Sequence, residues 1–284
     1  MDNFVPLFFP SINSHPLRVY LPFNLPAMRQ TNYSGTTLWQ FDNLSTLVGI
    51  RHFVSDRNSI SKAHDSTLSL SSTDDRLLVQ NNRERIANAM KVNSAKLIFP
   101  SQVHKTRVVR ATSLTTKDEL LETDALVTNE PGLCIAVMSA DCVTILLYDS
   151  VNRAVGAVHS GWRGTVARIL EKTLGMMKQE FGTTGADVWA GIGPSVCQDS
   201  YEVGAEVVAE VESAFGKDNN LTIPQSQGKA KLDLWKANKI QLLDFGLQEH
   251  RIETSGLCTV KNNNHFYSAR KGDAGRFAAG IVIV

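Results

Sequence analysis

The sequence predicts a mixed α/β (α+β) protein whose strands and helices pack in layers as one main domain. Continuous apolar runs at residues 134–138, 144–148 and 154–158 are typical of central strands that are covered on both faces. Amphipathic helical segments lie between and after the strands, without the strict alternation that a doubly wound sheet requires. A chain of 284 residues with 43% apolar composition is long enough to bury a large core.

The start of the chain differs from the rest in composition. Residues 1–45 contain five of the nine prolines and show little periodicity, so we expect an irregular arm in front of a domain at residues 46–284. Residues 47–54 alternate loosely and are rich in branched and aromatic side chains, which predicts a strand. Serines and charges crowd residues 55–75 and predict a long loop.

Helices and further strands follow this loop. Residues 76–90 keep an approximate helical period of apolar side chains, and Asp74 or Asp75 can cap the start of this helix. A second helix is predicted from the turn at residues 160–164 to about residue 180, because its apolar residues form one stripe. The remaining predicted elements are strands at residues 96–99, 106–109, 125–128, 134–138, 144–148, 154–158, 188–191 and 278–284, and helices at residues 204–215 and 232–247.

Charge and cysteine usage restrict the possible partners and the compartment. The formal net charge is +1 and the basic residues are scattered, which argues against nucleic acid or an anionic membrane as a partner. The four cysteines form no CxxC motif and no secretory signal is visible, so we expect a cytoplasmic protein. No apolar run approaches the ~18 residues that a membrane span needs.

Cys142 and His159 lie at the two ends of a predicted hairpin, and His104 follows another predicted strand. Two imidazoles and one thiolate suit a catalytic zinc site, in which three protein ligands leave a fourth position for water. The same Cys142 and His159 also suit a Cys-His hydrolase, in which the thiolate is the nucleophile. In a third interpretation, the metal only ties strands together and the surface binds a partner.

Two charged residues flank this pair. Asp141 precedes Cys142 at the end of an apolar strand, where a carboxylate must be paired or solvated, and it is a candidate proton carrier. Arg163 lies in the turn Ser160-Gly-Trp-Arg-Gly164, which leads into a helix. Free backbone N–H groups and a guanidinium at such a turn predict an anion site suited to phosphate or carboxylate.

Several motifs in the same order resemble those of the YfiH/YlmD family. These laccase-domain proteins, also called multicopper polyphenol oxidoreductases, include the FAMIN-like purine nucleoside phosphorylases. The resemblance covers about residues 46–284. The motifs are Phe99-Pro-Ser-Gln-Val-His104, Thr123-Asp-Ala-Leu-Val127, Ala140-Asp-Cys142, Ala157-Val-His-Ser-Gly-Trp-Arg-Gly164, Gly191-Ile-Gly-Pro194 and Phe266-Tyr-Ser-Ala-Arg270.

The resemblance implies a zinc-dependent purine nucleoside enzyme with a layered α/β/β/α sandwich fold. Zinc would be held by His104, Cys142 and His159. The implied reactions are phosphorolysis of adenosine, inosine, guanosine and methylthioadenosine to base and ribose 1-phosphate, and deamination of adenosine. The candidate catalytic residues are Cys142, Asp141, Arg57 and Arg163. The candidates for binding substrate or phosphate are Arg57, Gln102, Arg163 and Arg270.

The chain departs from the family pattern at two places. Asn58 and Ser59 follow Arg57 where the family has a pair of glycines, and Ser69 stands where an asparagine is usual. The copper-oxidase label also fits poorly, because a blue multicopper cluster uses about ten histidines, mostly in HxH pairs. This chain has seven histidines and no HxH pair. We therefore expect zinc rather than a multicopper cluster, with copper-dependent polyphenol oxidation as the least favoured alternative.

Overall fold

The computed structural model describes residues 28–60, 66–218 and 220–284, which form two large mixed sheets, one small sheet and flanking helices. The strands are β1 (Met28–Tyr33), β2 (Thr36–Phe41), β3 (Ile50–Val54), β4 (Leu97–Ile98), β5 (Val108–Arg110), β6 (Ala125–Thr128), β7 (Cys134–Ser139), β8 (Val143–Asp149), β9 (Ala154–Ser160), β10 (Val188–Ile192), β11 (Glu202–Val203), β12 (Thr222–Pro224), β13 (Ala230–Leu232), β14 (Ile252–Thr254) and β15 (Phe277–Ile283). The helices are α1 (Asp42–Ser45), α2 (Arg76–Met90), α3 (Trp162–Val166), α4 (Ile169–Phe181), α5 (Ala205–Phe215) and α6 (Leu234–Asp244).

Each large sheet contains six strands. The first has the order β1-β2-β3-β15-β7-β4, and the second has the order β14-β10-β8-β9-β6-β5. Most neighbours are antiparallel, but the pairs β4–β7, β5–β6 and β10–β14 are parallel. The third sheet, β11-β13-β12, is small.

The two large sheets face each other across one apolar core, and helices cover their outer faces. Along β15, Phe277, Ala279 and Ile281 point into the space between the sheets, whereas Ala278 and Val282 pack on the side of α2. The strands of the second sheet alternate in the same way, with α4, α5 and α6 on their outer side. Because consecutive side chains point to opposite faces, both sheets are buried on both sides. The predicted α/β/β/α sandwich is confirmed.

Most predicted elements are present, with differences at their ends. Asp75 accepts a hydrogen bond from the Leu78 N–H group and caps α2, as expected. The helix predicted after residue 164 is two helices, because Arg168 has a φ of 61° and interrupts the helical conformation between α3 and α4. The apolar stripe continues across this break, so periodicity alone does not reveal it.

The prediction of an irregular arm is wrong for residues 28–45. These residues form the hairpin β1–β2 and the short helix α1, and β2 pairs with β3 in the first large sheet. Phe41 is fully buried between the two large sheets. Residues 1–27 lie outside the described residues, and the domain boundary near residue 46 stays a prediction.

The helices of the described residues are all too short or too polar to cross a membrane.

We expect Phe41 to anchor this hairpin against the second sheet. A Cβ atom at Gly191 in β10 would lie 2.5 Å from the Phe41 ring, so the ring rests directly on the glycine backbone. Phe41→Ala should lower the free energy of unfolding by about 3–5 kcal/mol. Gly191→Ala should cost about 1–3 kcal/mol alone, because the ring has to move, and clearly less in the Phe41→Ala background. Urea denaturation of the four proteins measures this coupling, and strictly additive effects would contradict the contact.

Candidate metal centre

Three candidate ligands meet at one end of the second sheet. His104 lies in the loop after β4, Cys142 lies just before β8, and His159 is in β9 opposite Thr144 of β8. One potential ligand atom from each residue lies within 4.8 Å of the other two. The pairing of β8 with β9 thus places the ends of the predicted hairpin side by side, and the loop after β4 brings the third ligand to them.

The buried carboxylate of Asp124 holds two of these residues in place. Its Oδ1 lies 2.8 Å from Nδ1 of His159 and accepts the backbone N–H of His104 at 2.9 Å. Its Oδ2 accepts the backbone N–H groups of Val103 and Lys105. An Nδ1–H donor to a carboxylate leaves Nε2 of the imidazole free to bind a metal or a proton.

Asp124 has a role that the sequence analysis did not assign. The residue is part of the Thr123-Asp-Ala motif, but the chain between it and His159 is long, and nothing local links the two. The clue available in the sequence was its position directly before the apolar strand at residues 125–128, since a carboxylate buried there requires several donors, and the structure shows Asp124 fully buried.

Cys142 and His159 shift each other's protonation. Burial raises the pKa of the Cys142 thiol, but the charge of His159 and hydrogen bonds with His104 and His159 outweigh this effect and bring the pKa to about 6. Burial lowers the pKa of His159, whereas the Cys142 thiolate and the hydrogen bond to Asp124 raise it to about 9. Without a metal, the pair therefore favours a thiolate beside an imidazolium.

The donor set fits a small, soft divalent cation. Bond lengths of about 2.0–2.3 Å place the ligand atoms of tetrahedral zinc roughly 3.5 Å apart. The three ligand atoms here lie within 4.8 Å of one another, so small rotations of the side chains would bring them to bonding distance of one ion. Gly161 has no side chain, which leaves room for these rotations of Cys142 and His104. A Cβ atom at Gly161 would lie 2.9 Å from the Cys142 sulfur and 3.2 Å from the His104 ring.

Asp141 is fixed beside the ligands rather than free. It has a φ of 87°, and its Oδ1 accepts a hydrogen bond from the Thr259 hydroxyl at 2.5 Å. Its Oδ2 accepts the backbone N–H of Arg270 at 2.8 Å, and its carbonyl accepts the Val196 N–H. The side chain thus connects the Cys142 segment to two other loops, and its role as a proton carrier stays a prediction.

The three candidate ligands line a cavity of about 780 Å³. One part of its wall is apolar, and another part carries positive charge, with Asp141 as the only carboxylate among the described residues that line it. This volume suits a small organic molecule. The other principal lining residues are Ser69, Leu70, Ser71, Arg83, Phe99, Gln102, Lys117, Leu120, Leu121, Met138, Arg270 and Arg276.

Gln102 and Arg270 are the two candidates for substrate binding that line this cavity. The Gln102 amide donates to the Met138 carbonyl and accepts the Met138 N–H, both at 2.8 Å, so it extends the edge of the first sheet. The Arg270 guanidinium lies over the Tyr201 ring and donates to the Glu202 carbonyl. Both side chains are therefore positioned before any ligand binds.

Arg57 and Arg163 do not line the cavity. Arg57 donates to Asp273 at 2.9 Å and to the Asn263 carbonyl at 2.6 Å. The Arg163 guanidinium lies 4.4 Å from the centre of the neighbouring Trp162 ring. Their roles in binding substrate stay predictions.

Two arginines that line the cavity were missed by the sequence analysis. Arg83 of α2 donates to the Leu68 carbonyl and lies over the Phe99 ring. Arg276 donates to backbone carbonyls of the preceding turn, at 2.8 Å for Gly275. Only the tertiary fold brings these distant residues to the same cavity.

The other described histidines do not add to this cluster. His52 is buried and accepts the Phe41 N–H, and burial together with Arg29 lowers its pKa to about 3. His250 packs against Trp189, and His265 lies beside Asp56. Within residues 28–60, 66–218 and 220–284, the His104, Cys142 and His159 group is the only cluster of three or more potential ligands. His15 and His64 lie outside the described residues.

The fold and the site together define a layered α/β/β/α protein with a His-Cys-His constellation at a partly cationic cavity. A family model described as multi-copper polyphenol oxidoreductase laccase matches residues 51–284. The chain therefore belongs to this laccase-domain family, whose solved structures include YfiH and YlmD proteins.

Individual relatives are similar over most of the chain. A purine nucleoside phosphorylase of Bacteroides thetaiotaomicron is 37% identical over 86% of this chain and 95% of that protein. Adenosine deaminase RL5, from an unknown prokaryotic organism, is 37% identical over 73% of this chain and 83% of that protein. The crystal structure of YlmD from Geobacillus stearothermophilus has a TM-score of 0.80 and 25% identity, covering 91% of this chain and 99% of that one.

We expect Asp124→Asn to weaken the binding of a metal ion at this candidate centre about 10–100-fold, because an amide cannot hold the His159 tautomer and the ligand loop together. Competition with a chromogenic chelator measures the Kd. Asp149→Asn is the matched control, because Asp149 is equally buried and accepts backbone N–H groups from Val151 and Asn152 in a turn at the opposite end of β8. Equal losses in both variants would assign the effect to folding rather than to the metal centre.

Proposed function

We propose that this protein is a zinc-dependent purine nucleoside enzyme that performs phosphorolysis and deaminates adenosine. The observation that carries the proposal is the convergence of His104, Cys142 and His159 on a cavity with a cationic wall. Relatives named purine nucleoside phosphorylase and adenosine deaminase give the substrate class. The proposed substrates are adenosine, inosine, guanosine and methylthioadenosine, together with inorganic phosphate.

The metal and the chain would have separate tasks. Bound zinc would supply Lewis-acid chemistry and a means of activating water at neutral pH. Asp124 would keep Nε2 of His159 directed at the metal, and its contacts with the loop after β4 would keep His104 there. His104 is exposed and Cys142 is partly exposed, so the ligand cluster is accessible from the cavity.

The cavity offers apolar side chains for the purine base and cationic side chains for phosphate. Phe99, Met138 and Leu120 offer apolar surface to a purine ring. Arg270 and Arg276 offer positive charge to a phosphate bound in the cavity. We assign phosphate to these arginines rather than to Arg57, whose guanidinium is already paired with Asp273.

Asp141 is the proposed carrier of a proton to or from the purine. Asp141 is one of the residues that line the cavity, and it directly precedes Cys142. The Thr259 hydroxyl and the Arg270 N–H each occupy one of its oxygens, but each carboxylate oxygen can accept a second hydrogen bond. Fixed in this way, the group would not have to reorganise during the reaction.

A second candidate is a Cys-His hydrolase that acts on an amide or ester. The favouring observation is the row Cys142, His159 and Asp124, in which a thiol with a pKa of about 6 adjoins an imidazole oriented by a carboxylate. Metal analysis of the purified protein separates the two functions. Stoichiometric zinc that is lost in Cys142→Ala supports the metal enzyme. A metal-free native protein that hydrolyses an amide or ester until alkylation of Cys142 abolishes this activity supports the hydrolase.

We expect His104→Asn to abolish zinc binding and nucleoside turnover without unfolding the protein. His104 has a φ of 61°, a conformation that asparagine tolerates better than most residues, and its side chain is exposed. Chromatography of adenosine and inosine, with and without phosphate, measures free base, hypoxanthine and ribose 1-phosphate. His250→Asn, an exposed histidine beside Trp189, is the control and should keep full activity. If the wild type forms none of these products, the proposed function is wrong.

We expect Arg270→Gln to raise the KM for phosphate by about 10-fold or more, since a charged hydrogen bond is worth about 1.5–3 kcal/mol. The rate of deamination, which uses no phosphate, should change much less. Arg57→Gln tests the competing assignment in the same assay. A larger effect of Arg57→Gln than of Arg270→Gln on the KM for phosphate would return the phosphate site to Arg57.

A further inference from the structure

Two cysteines outside the candidate metal centre, Cys197 and Cys258, lie against each other. Cys197 follows β10 and Cys258 follows β14, and the Cys197 N–H points at the Cys258 sulfur at 3.2 Å. Both sulfur atoms also contact the Ser200 hydroxyl, at 3.6 Å and 3.7 Å. Both cysteines are free thiols.

We propose that Cys197 and Cys258 are an oxidisable dithiol that peroxide converts to a disulfide, and that this disulfide weakens zinc binding at the metal centre. The first half of this inference stands apart from the proposed function. The second half rests on the proposed zinc site.

The backbone holds the two cysteine-bearing segments side by side. Ser195 and Cys258 form a parallel β-bridge, in which Ser195 donates to the Leu257 carbonyl and accepts the Thr259 N–H. Cys197 is two residues beyond this bridge. Since a disulfide needs Cα atoms roughly 4.4–6.8 Å apart, two thiols that share a hydrogen-bond partner beside such a bridge require only a small movement to join.

The surroundings favour attack by Cys258. Burial raises the pKa of its thiol, but hydrogen bonds from Cys197, Ser200 and the Lys261 backbone lower the pKa further than burial raises it. Burial and the Cys258 thiol raise the pKa of Cys197. Cys258 is only 3% exposed, which admits a small oxidant more readily than a bulky disulfide.

The oxidation balances with hydrogen peroxide as the oxidant. The Cys258 thiolate attacks one peroxide oxygen, the O–O bond breaks, and the leaving hydroxide takes up a proton to become water. The Cys197 sulfur then attacks the sulfenic sulfur of Cys258, the S–O bond breaks, and a second water leaves. Two electrons pass from the two thiols to the peroxide, and one S–S bond forms.

Asp141 connects this dithiol to the metal centre. Val196, the neighbour of Cys197, donates its N–H to the Asp141 carbonyl at 3.0 Å. Thr259, the neighbour of Cys258, donates its hydroxyl to the Asp141 carboxylate. A disulfide shortens the distance between the sulfur atoms to about 2.05 Å, so both flanking segments have to move. Asp141 precedes the ligand Cys142, and it receives that movement from both sides.

The test uses the zinc-loaded full chain, because the metal protects Cys142. Graded peroxide treatment is followed by catalase, peptide mapping by mass spectrometry and chelator competition for zinc, before and after dithiothreitol. Cys134 is the internal control, because it is fully buried in β7 and should remain a thiol. Cys197→Ser is the matched variant: it should bind zinc like the reduced wild type and lose the response to peroxide.

We expect a Cys197–Cys258 peptide that dithiothreitol separates, and a Kd for zinc that rises about 10-fold or more in the wild type alone. Two thiols that stay reduced, or oxidise separately to sulfinic acids, would overturn the dithiol. A disulfide without a change in the zinc Kd would overturn its connection to the metal centre. If the reduced protein binds no zinc, the proposed function fails, while the mapped peptides still decide whether the dithiol exists.

Discussion

The carboxylate of Asp124 is a fully buried charge, and both the loop after β4 and the imidazole in β9 are arranged around it. Such a group is tolerated inside a protein only when donors satisfy its oxygens. Here the donors are the ligand histidine His159 and three consecutive backbone N–H groups of the loop that carries His104. The electrostatic requirement of one side chain therefore fixes the relative position of two metal ligands.

The site is built partly from paired strands and partly from loops. Cys142 and His159 are held by the paired strands β8 and β9, whereas loops supply most of the cavity wall and α2 contributes Arg83. Relatives with equal identity to this chain have names that denote two different reactions, phosphorolysis and deamination. A candidate metal centre held by strands beside a wall built from loops is compatible with both, because changes in loops can alter the substrate without disturbing the ligands.

Local sequence patterns predicted most of the strands and helices, and the elements that they missed have physical explanations. The hairpin at residues 28–41 was not predicted, because its first strand is polar and largely exposed and the burial of Phe41 depends on β10, which is far along the chain. The interruption at Arg168 leaves the apolar stripe unchanged. The motifs located the ligands, but they did not show that Asp124 joins them, or that Arg57 would pair with Asp273, 216 residues away. Such partners depend on tertiary folding.

The position of β15 has a consequence for how the protein folds. This strand lies in the centre of the first sheet, between β3 and β7, although it is synthesised after every other strand of that sheet. Until residues 277–283 leave the ribosome, β3 and β7 each have one unpaired edge. The second partner of β3 lies more than 220 residues further along the chain. Long-range pairings of this kind slow folding and prolong exposure to aggregation. We therefore expect the first sheet of the nascent chain to stay incomplete until β15 has been synthesised.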